Sequence, residues 1–373
     1  MVNKRFLQKI VIVTLVVTTF LSAELGKCSG ISVSYNFEKI GSIDTNGETI
    51  NVAIMSDIAF ALDTADINPG GLVIINISDP TMPYKISSYY DGGNCYELAV
   101  RENYVFIADG SDGLKIFNVT DLEHPVKIYH YPVNSYCFDV ELVGDLLYAG
   151  NGHYGLEIFN ISDLKHPTKI ARYDSNSLNC MQITIEDNLA IVTDHRNDYT
   201  SLVLLDITNP IAPEYITQYV KTDTDFWDPI IQNGYVYVGN HAINGGEMQI
   251  LNVTEPSDIS LVSIYDKGGS IFSIAFNNSI AFISNYNKGV EVVDVSDPTN
   301  PTKIGGFDDG GHTKKIAIKN DLVIVADIGD GLEILRAEIS TKTVNGFTYL
   351  ATISILTITS IIVIIRRWKR KRI

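Results

Sequence analysis

GLVIINISDPTMP, Gly71 to Pro83, is the stretch that the rest of the chain repeats. Copies begin at Gly113 (GLKIFNVTDLEHP), Gly155 (GLEIFNISDLKHP), Ser201 (SLVLLDITNPIAP), Glu247 (EMQILNVTEPSDI) and Gly289 (GVEVVDVSDPTNP), with a truncated one at Gly331 (GLEILRAE). Successive copies lie 42, 42, 46, 46, 42 and 42 residues apart. A fixed period in this range marks a repeat architecture, in which each supersecondary unit buries its faces only against its neighbours.

Working outward from the motif, the second repeat reads CYELAVREN, YVFIADGSD, GLKIFNVTD and HPVKIYHYPV. Each piece is a short apolar run rich in Val, Ile, Phe and Tyr, bounded by Gly, Asp, Asn or Pro, which is the signature of a strand. No segment of the repeats sustains a helical period. Four short strands per 42 residues is the arithmetic of a propeller blade. The fourth piece recurs at Pro83, Pro125, Pro167, Pro213 and Pro301, and once more ahead of the first repeat, at Phe37–Ile43 (FEKIGSI), whereas the seventh repeat ends after its third strand. The expectation is an all-β, seven-bladed β-propeller of four-stranded blades, closed by the N-terminal strand lying beside Leu332–Arg336. Closure of this kind removes free sheet edges.

The Gly-Leu-x-Ile-x-Asn/Asp-Ile/Val-Ser/Thr-Asp-Pro core resembles the LVIVD repeat of surface and secreted propellers of archaea and bacteria. The resemblance covers about residues 35–338 and implies the fold; because that family shares no assigned activity, it implies no chemistry. The paired Gly-His and Trp-Asp of WD40 blades are absent.

The ends read differently. Residues 1–23 have a basic start followed by an apolar run from Ile10 to Leu21, too short for a bilayer and suited to a signal peptide. Residues 24–34 form a short N-terminal segment, with Cys28 in a poor match to a lipoprotein box. After the propeller (35–338) and a linker (339–345), residues 346–365 carry no charge over 20 positions, enough for a transmembrane helix. The basic tail 366–373 (RRWKRKRI) follows at once and marks the cytoplasmic side. The expected location is the cell membrane, single-pass, with the propeller outside. Setting the nine basic residues of the two ends aside leaves 19 of the 28, against 44 acidic residues, so the body carries a net charge of −25. Such a surface repels phosphate backbones and argues against nucleic acid. In the usual blade order, the motif turn faces the membrane, and the loops between second and third strands form the outward, top face.

Several constellations on that face invite functional readings. The second strand ends on Asp63, Asp109, Asn151, Asp194, Asn240, Asn285 and Asp327, either a ring of turn-capping Asx side chains or a cation ring. The following loops are longest in blades one, four and five. His153, His195 and His241 follow the Asx positions and are a candidate zinc or copper set. The innermost strands carry Asn51, Glu97, Asp139, Gln182, Asp228, Ser273 and Lys315 at one equivalent position, read as a channel ring that is water-lined or holds a cation. Tyr96, Phe138, Met181, Trp227 and Phe272 flank it and are expected to pack between blades. Cys95, Cys137 and Cys180 sit at repeat spacing, which favours free thiols and leaves a disulfide or a thiolate–metal site as the alternatives. Asp223, Asp225, Trp227 and Asp228 in KTDTDFWDP, with Asp194, His195 and His241, are the candidate recognition patch. Asn76, Asn118, Asn160, Asn252 and Asn277 stand in glycosylation sequons.

No nucleophile–base pair, phosphate loop or His-Glu-x-x-His motif is present. The reading is a membrane-anchored binding or adhesion module for extracellular protein or glycan, with no cofactor expected and a divalent cation as the one alternative. A structural cell-envelope component, or a metal-dependent hydrolase at the channel mouth, are the competing readings.

Overall fold

The computed structural model describes residues 31–64, 70–90, 92–174, 178–196, 199–222, 224–241, 246–266, 268–308 and 310–343. The signal peptide, Cys28, Asp223, the membrane helix and the basic tail read from the sequence lie outside the described residues. Among the described residues no helix is long and apolar enough to cross a membrane.

The chain divides into two bodies. One comprises Met1–Ser34 and Ile339–Ile373, and its described residues are strand residues 31–34 and 339–343. The other, Tyr35–Glu338, contains the repeats.

Every described element is a strand. An N-terminal strand β1 (Ile31–Ile43) precedes repeat one, which is β2 (Glu48–Met55), β3 (Ile58–Thr64), β4 (Gly71–Asn76) and β5 (Tyr84–Tyr90). Repeat two is β6 (Glu97–Arg101), β7 (Tyr104–Asp109), β8 (Gly113–Asn118) and β9 (Val126–Tyr131). Repeat three is β10 (Asp139–Val143), β11 (Leu146–Gly150), β12 (Leu156–Asn160) and β13 (Thr168–Tyr173). Repeat four is β14 (Cys180–Glu186), β15 (Leu189–His195), β16 (Tyr199–Asp206) and β17 (Glu214–Thr222). In repeat five come β18 (Asp225–Gln232), β19 (Tyr235–His241), β20 (Glu247–Asn252) and β21 (Ser260–Asp266). Repeat six holds β22 (Ile271–Asn277), β23 (Ile280–Asn285), β24 (Gly289–Asp294) and β25 (Thr302–Phe307). Repeat seven has β26 (Thr313–Lys319), β27 (Leu322–Asp327) and β28 (Gly331–Thr343).

Repeats one to five are separate four-stranded antiparallel sheets, each an up-and-down meander. The remaining strands form one sheet in the order β22-β23-β24-β25-β1-β28-β27-β26. β1 therefore lies beside β28 as the fourth strand of repeat seven, and a parallel pairing of Tyr35 with Gly305 links it to repeat six. The innermost strands touch in succession, β2 to β6, β10, β14, β18, β22 and β26, and β26 touches β2 again.

The sequence explains the sheets. β3 and β7 are buried along almost their whole length, because middle strands are covered on both faces, whereas β5 and β9 are partly exposed. Apolar side chains meet between sheets, not within them: Val52 and Ala61 of repeat one pack with Ile324 and Ile334 of repeat seven, and Phe60 and Leu72 pack with Val105 and Phe117 of repeat two. The motif glycine is required by close approach. A Cβ on Gly113, Gly155 or Gly289, all at positive φ, would collide with the carbonyl of Tyr131, Tyr173 or Phe307 on the fourth strand. On Gly331 it would collide with the Ile43 carbonyl, so β1 occupies the same place relative to β28.

A buried carboxylate on the third strand recurs with a lysine on the fourth. Glu157 pairs with Lys169 at 2.9 Å, Glu291 with Lys303 at 2.5 Å, and Glu333 with Lys39. The Lys39–Glu333 pair thus repeats across 294 residues a contact that is local in the other repeats. The motif turn is built on two Asx turns: Asn76 Oδ1 accepts from Ser78 N at 2.9 Å, and Asp79 Oδ1 from Thr81 N at 3.0 Å. Asn118, Asn160 and Asn252 use the same local geometry, so four of the five sequon asparagines have their side-chain oxygen engaged in a turn. Asn277 accepts from Asn278 Nδ2 instead. One boundary differs from the reading of the sequence: β28 continues past Arg336 to Thr343, through residues 339–343 that were expected to be linker.

Candidate functional site

The channel ring is shaped by a recurring β-bulge. The register of the first strand against the second shifts between Thr49 and Asn51, Cys180 and Ile183, Trp227 and Ile230, Ile271 and Ser273, and Thr313 and Lys315. A bulge re-aims the side chain at that point and raises the local twist. In repeat five it places Asp228 at φ +47°, a left-handed conformation that Asp tolerates better than bulkier residues.

The re-aimed side chains stitch one repeat to the next. Asn51 donates to the Tyr96 carbonyl at 3.0 Å, and Asp139 Oδ2 accepts from Ile183 N at 2.6 Å. Gln182 Oε1 accepts from Asp228 N at 3.0 Å, and Asp228 Oδ2 accepts from Ile274 N at 3.2 Å. Lys315 Nζ lies 3.0 Å from both Glu97 Oε2 and Asp228 Oδ1. The water-lined wall expected from the sequence is therefore corrected in part: these polar groups bind neighbouring strands. The cationic group suited to Glu97 and Asp228 is the chain's own Lys315. Two ring atoms, Asn51 Oδ1 and Ser273 Oγ, are buried without a protein partner.

The carboxylates crowd one another. Burial, followed by Glu97 and Glu141, pushes Asp139 well above the usual carboxylate range. Burial, then Glu97, raises Glu141 from the ordinary 4.5 to about 7, with Lys315 opposing. A carboxyl whose pKa is higher in the folded chain binds its proton more tightly there, so its contribution to stability is full below about 4.5 and is lost as pH rises through about 7. The urea midpoint should accordingly fall between pH 5.5 and pH 8. Glu141→Gln should remove about 1–2 kcal/mol of that fall, below the full linkage value because the group is only partly buried. An unchanged pH slope in Glu141→Gln would contradict this assignment.

Beside the ring stands an aromatic rim whose side chains meet from one repeat to the next, as expected, yet stay half-exposed. Tyr96 is 37% exposed, and Phe138, Met181, Trp227 and Phe272 are half-buried. Tyr96 meets Phe138 at 4.8 Å, and Phe138 stacks on Tyr136 at 5.7 Å. A second arc runs from His195 to Trp227 (5.7 Å), Phe272 (5.5 Å), Tyr286 (5.4 Å) and His312 (4.5 Å). Repeat seven has Lys314 where four of the other repeats have an aromatic and the remaining two have Ile50 and Met181, and its Nζ sits 3.4 Å from the Phe272 ring centre. Burial lowers the Lys314 pKa to about 8.

The remaining candidates separate. Asp194 is buried, holds Arg196 Nε through both oxygens at 3.0 and 2.9 Å, and accepts from Asn179 N at 2.8 Å. His195 Nε2 donates to the Phe226 carbonyl at 2.7 Å, and burial lowers its pKa. Asp225 is exposed, 3.9 Å from His195 Nδ1. His241 stacks on Phe272, and His153 is exposed. The three histidines are not brought together, and among the described residues no group of three or more His, Cys, Asp or Glu is placed to hold a metal. The Asx positions are all buried and chiefly fix their own surroundings: Asp327 accepts from His312 N, Asn240 from Glu247 N, and Asn285 donates to the Gly268 carbonyl. Cys95, Cys137 and Cys180 are buried; Cys95 Sγ donates to Asp109 Oδ1 at 3.4 Å, and burial raises the pKa of Cys137 and Cys180. The backbones of those two bridge to Gly110 and Gly152 of the preceding repeat.

Tyr286, Lys314 and Glu141 are missed by the reading of the sequence. Lys314 carried a usable signal, since it breaks a run of apolar residues at an equivalent position; Tyr286 and Glu141 carried none.

The LVIVD repeat matches at residues 47–91, 92–132, 136–175, 226–267 and 268–309. No curated protein matches the chain. Among solved structures, a computationally designed protein, Ika8, is similar at TM-score 0.59 and 9% identity, covering 80% of this chain and 99% of its own. A catalytically inactive virginiamycin B lyase from Staphylococcus aureus, solved with quinupristin, is similar at TM-score 0.60 and 13% identity (81% and 99% covered). The WD40 domain of Toxoplasma gondii coronin is similar at TM-score 0.60 and 10% identity (86% and 91%). At such identities the likeness concerns the fold alone.

Proposed function

The chain belongs to the LVIVD repeat family, and on that premise we propose that it is a seven-bladed β-propeller that acts as a surface-anchored binding module for protein or glycan. In this reading β1 closes the last blade, residues 346–365 cross the membrane, and the top face points outward. The observation that carries it is a contrast between the two ends of each repeat. At the motif turn the copies use one recurring local device, the Asx turn. At the opposite end they differ from repeat to repeat and present half-exposed aromatic side chains around a ring of charge. Repeat proteins place binding on the face where copies diverge, and aromatic anchors beside polar groups suit recognition.

Photo-crosslinking on intact cells tests it. A photoreactive residue at Tyr96 or Tyr286 should give a partner adduct, whereas one at Met82, 70% exposed in the motif turn, should give none. Adducts confined to position 82 would overturn the orientation. Absence of adducts at any rim position would favour a structural envelope component.

A further inference from the structure

We propose that the cup formed by Trp227, Phe272 and Tyr286 binds a quaternary or N-methylated ammonium group of a small molecule, and that Lys314 occupies it in the free protein. The proposal deepens the reading of the rim as a binding face and rests on it. Lys314 Nζ lies 3.4 Å from the Phe272 ring centre, 5.6 Å from that of Trp227 and 5.9 Å from that of Tyr286. The rings are inclined, Trp227 to Phe272 by 59° and Phe272 to Tyr286 by 61°, so they form walls and not a stack. Their electron-rich faces converge on one point, which is the arrangement that attracts a cation.

Two further observations identify the occupant. Lys115 and Lys315 meet two carboxylates each, and Lys39, Lys169 and Lys303 meet one each. No carboxylate lies within ion-pair distance of Lys314 among the described residues, so the rings alone accommodate its charge. A lysine is also a poor fit for such a cup, because a primary ammonium carries three N–H donors that aromatic faces satisfy weakly. Burial accordingly disfavours its charged form. A quaternary ammonium has no N–H to satisfy, spreads its charge over C–H groups, and stays charged at every pH. The net charge of −25 on the body draws cations toward the surface. His195 packs on Trp227 and His241 on Phe272, so these walls have support of their own when Lys314 swings out.

The experiment titrates the full-length chain with choline, and with its uncharged tert-butyl analogue at matched ionic strength, following the fluorescence of Trp227. The only other tryptophan is Trp368, so a Trp227→Phe variant supplies the background. With Lys314 in the cup about nine-tenths of the time, Lys314→Ala should bind choline about tenfold more tightly than the parent chain. The analogue should bind at least about tenfold more weakly than choline, since it lacks the charge that the rings attract. Phe272→Leu, which keeps the apolar volume and removes the ring face, should abolish the difference between them; Tyr286→Leu asks the same should Phe272→Leu fail to fold. Choline binding no tighter in Lys314→Ala than in the parent, or an analogue that binds as well as choline, overturns the proposal. Rim crosslinks that persist in that event would leave the binding-face reading standing, whereas loss of both would remove the two together.

Discussion

Lys315→Met is expected to destabilise the fold by about 2–4 kcal/mol at neutral pH, read from the urea midpoint. Its ammonium bridges Glu97 and Asp228, which are 218 and 87 residues away in sequence and belong to repeats two and five. Those two carboxylates, despite the cost of burial, hold the Lys315 pKa above its ordinary value. Removing one member of a buried ion pair costs about 3–5 kcal/mol because the partner charge is left uncompensated. Here all three side chains keep 17–20% exposure, which lowers the figure. Raising it, two carboxylates lose their cation, and Asp139 and Glu141 stand close by. The cost should shrink toward pH 5, where the crowded carboxyls take up protons in place of the lysine's charge. Adding Asp228→Asn to Lys315→Met should recover part of the loss, since Asn retains an oxygen for Ile274 N. A Lys315→Met variant with unchanged stability would show that the ring is only a solvated wall.

The fold was legible because the repeat supplies seven aligned readings of the same strands, so the position of each element is read many times over. Even the unusual element, β1, could be placed from the likeness of FEKIGSI to the fourth strand of other repeats. The site was legible only in outline. Alternation along a strand assigns side chains to faces, but the bulge at Asn51, Gln182, Asp228, Ser273 and Lys315 breaks that alternation where it matters. Trp227 and Phe272 therefore meet across two sheets while staying half-exposed, whereas strict alternation would bury them between the sheets. Partner choice was equally hidden. The Asx positions look interchangeable in sequence, yet Asp194 takes an arginine of the following loop, Asp109 a lysine and Asn151 a glutamate of the third strand, because each adapts to what its own repeat presents.

That adaptation yields the second large effect. Lys115 is 1% exposed, and its ammonium lies 2.5 Å from Asp109, itself buried, and 3.0 Å from Asp112 at the surface. Lys115→Met should cost about 3–5 kcal/mol, because the Asp109 carboxylate then stays buried beside an apolar side chain. Repeat three solves the same place with opposite polarity: Asn151 donates to Glu157 at 2.6 Å, six residues on, and Lys169 of the fourth strand neutralises Glu157. Repeat two already has Lys127 at the position of Lys169, beside the Tyr89 ring. Lys115→Glu alone sets two carboxylates together, and Asp109→Asn alone leaves the buried ammonium of Lys115 without its nearer carboxylate. Combining Lys115→Glu with Asp109→Asn rebuilds the arrangement of repeat three, and should return stability to within about 1 kcal/mol of the parent, a strong favourable coupling in the double-mutant cycle. Losses that simply add would mean that the two solutions depend on more of their repeats than these three side chains. Recovery would show that the polar interior of each sheet is a self-contained set, which is what leaves the rim of each repeat open to diverge.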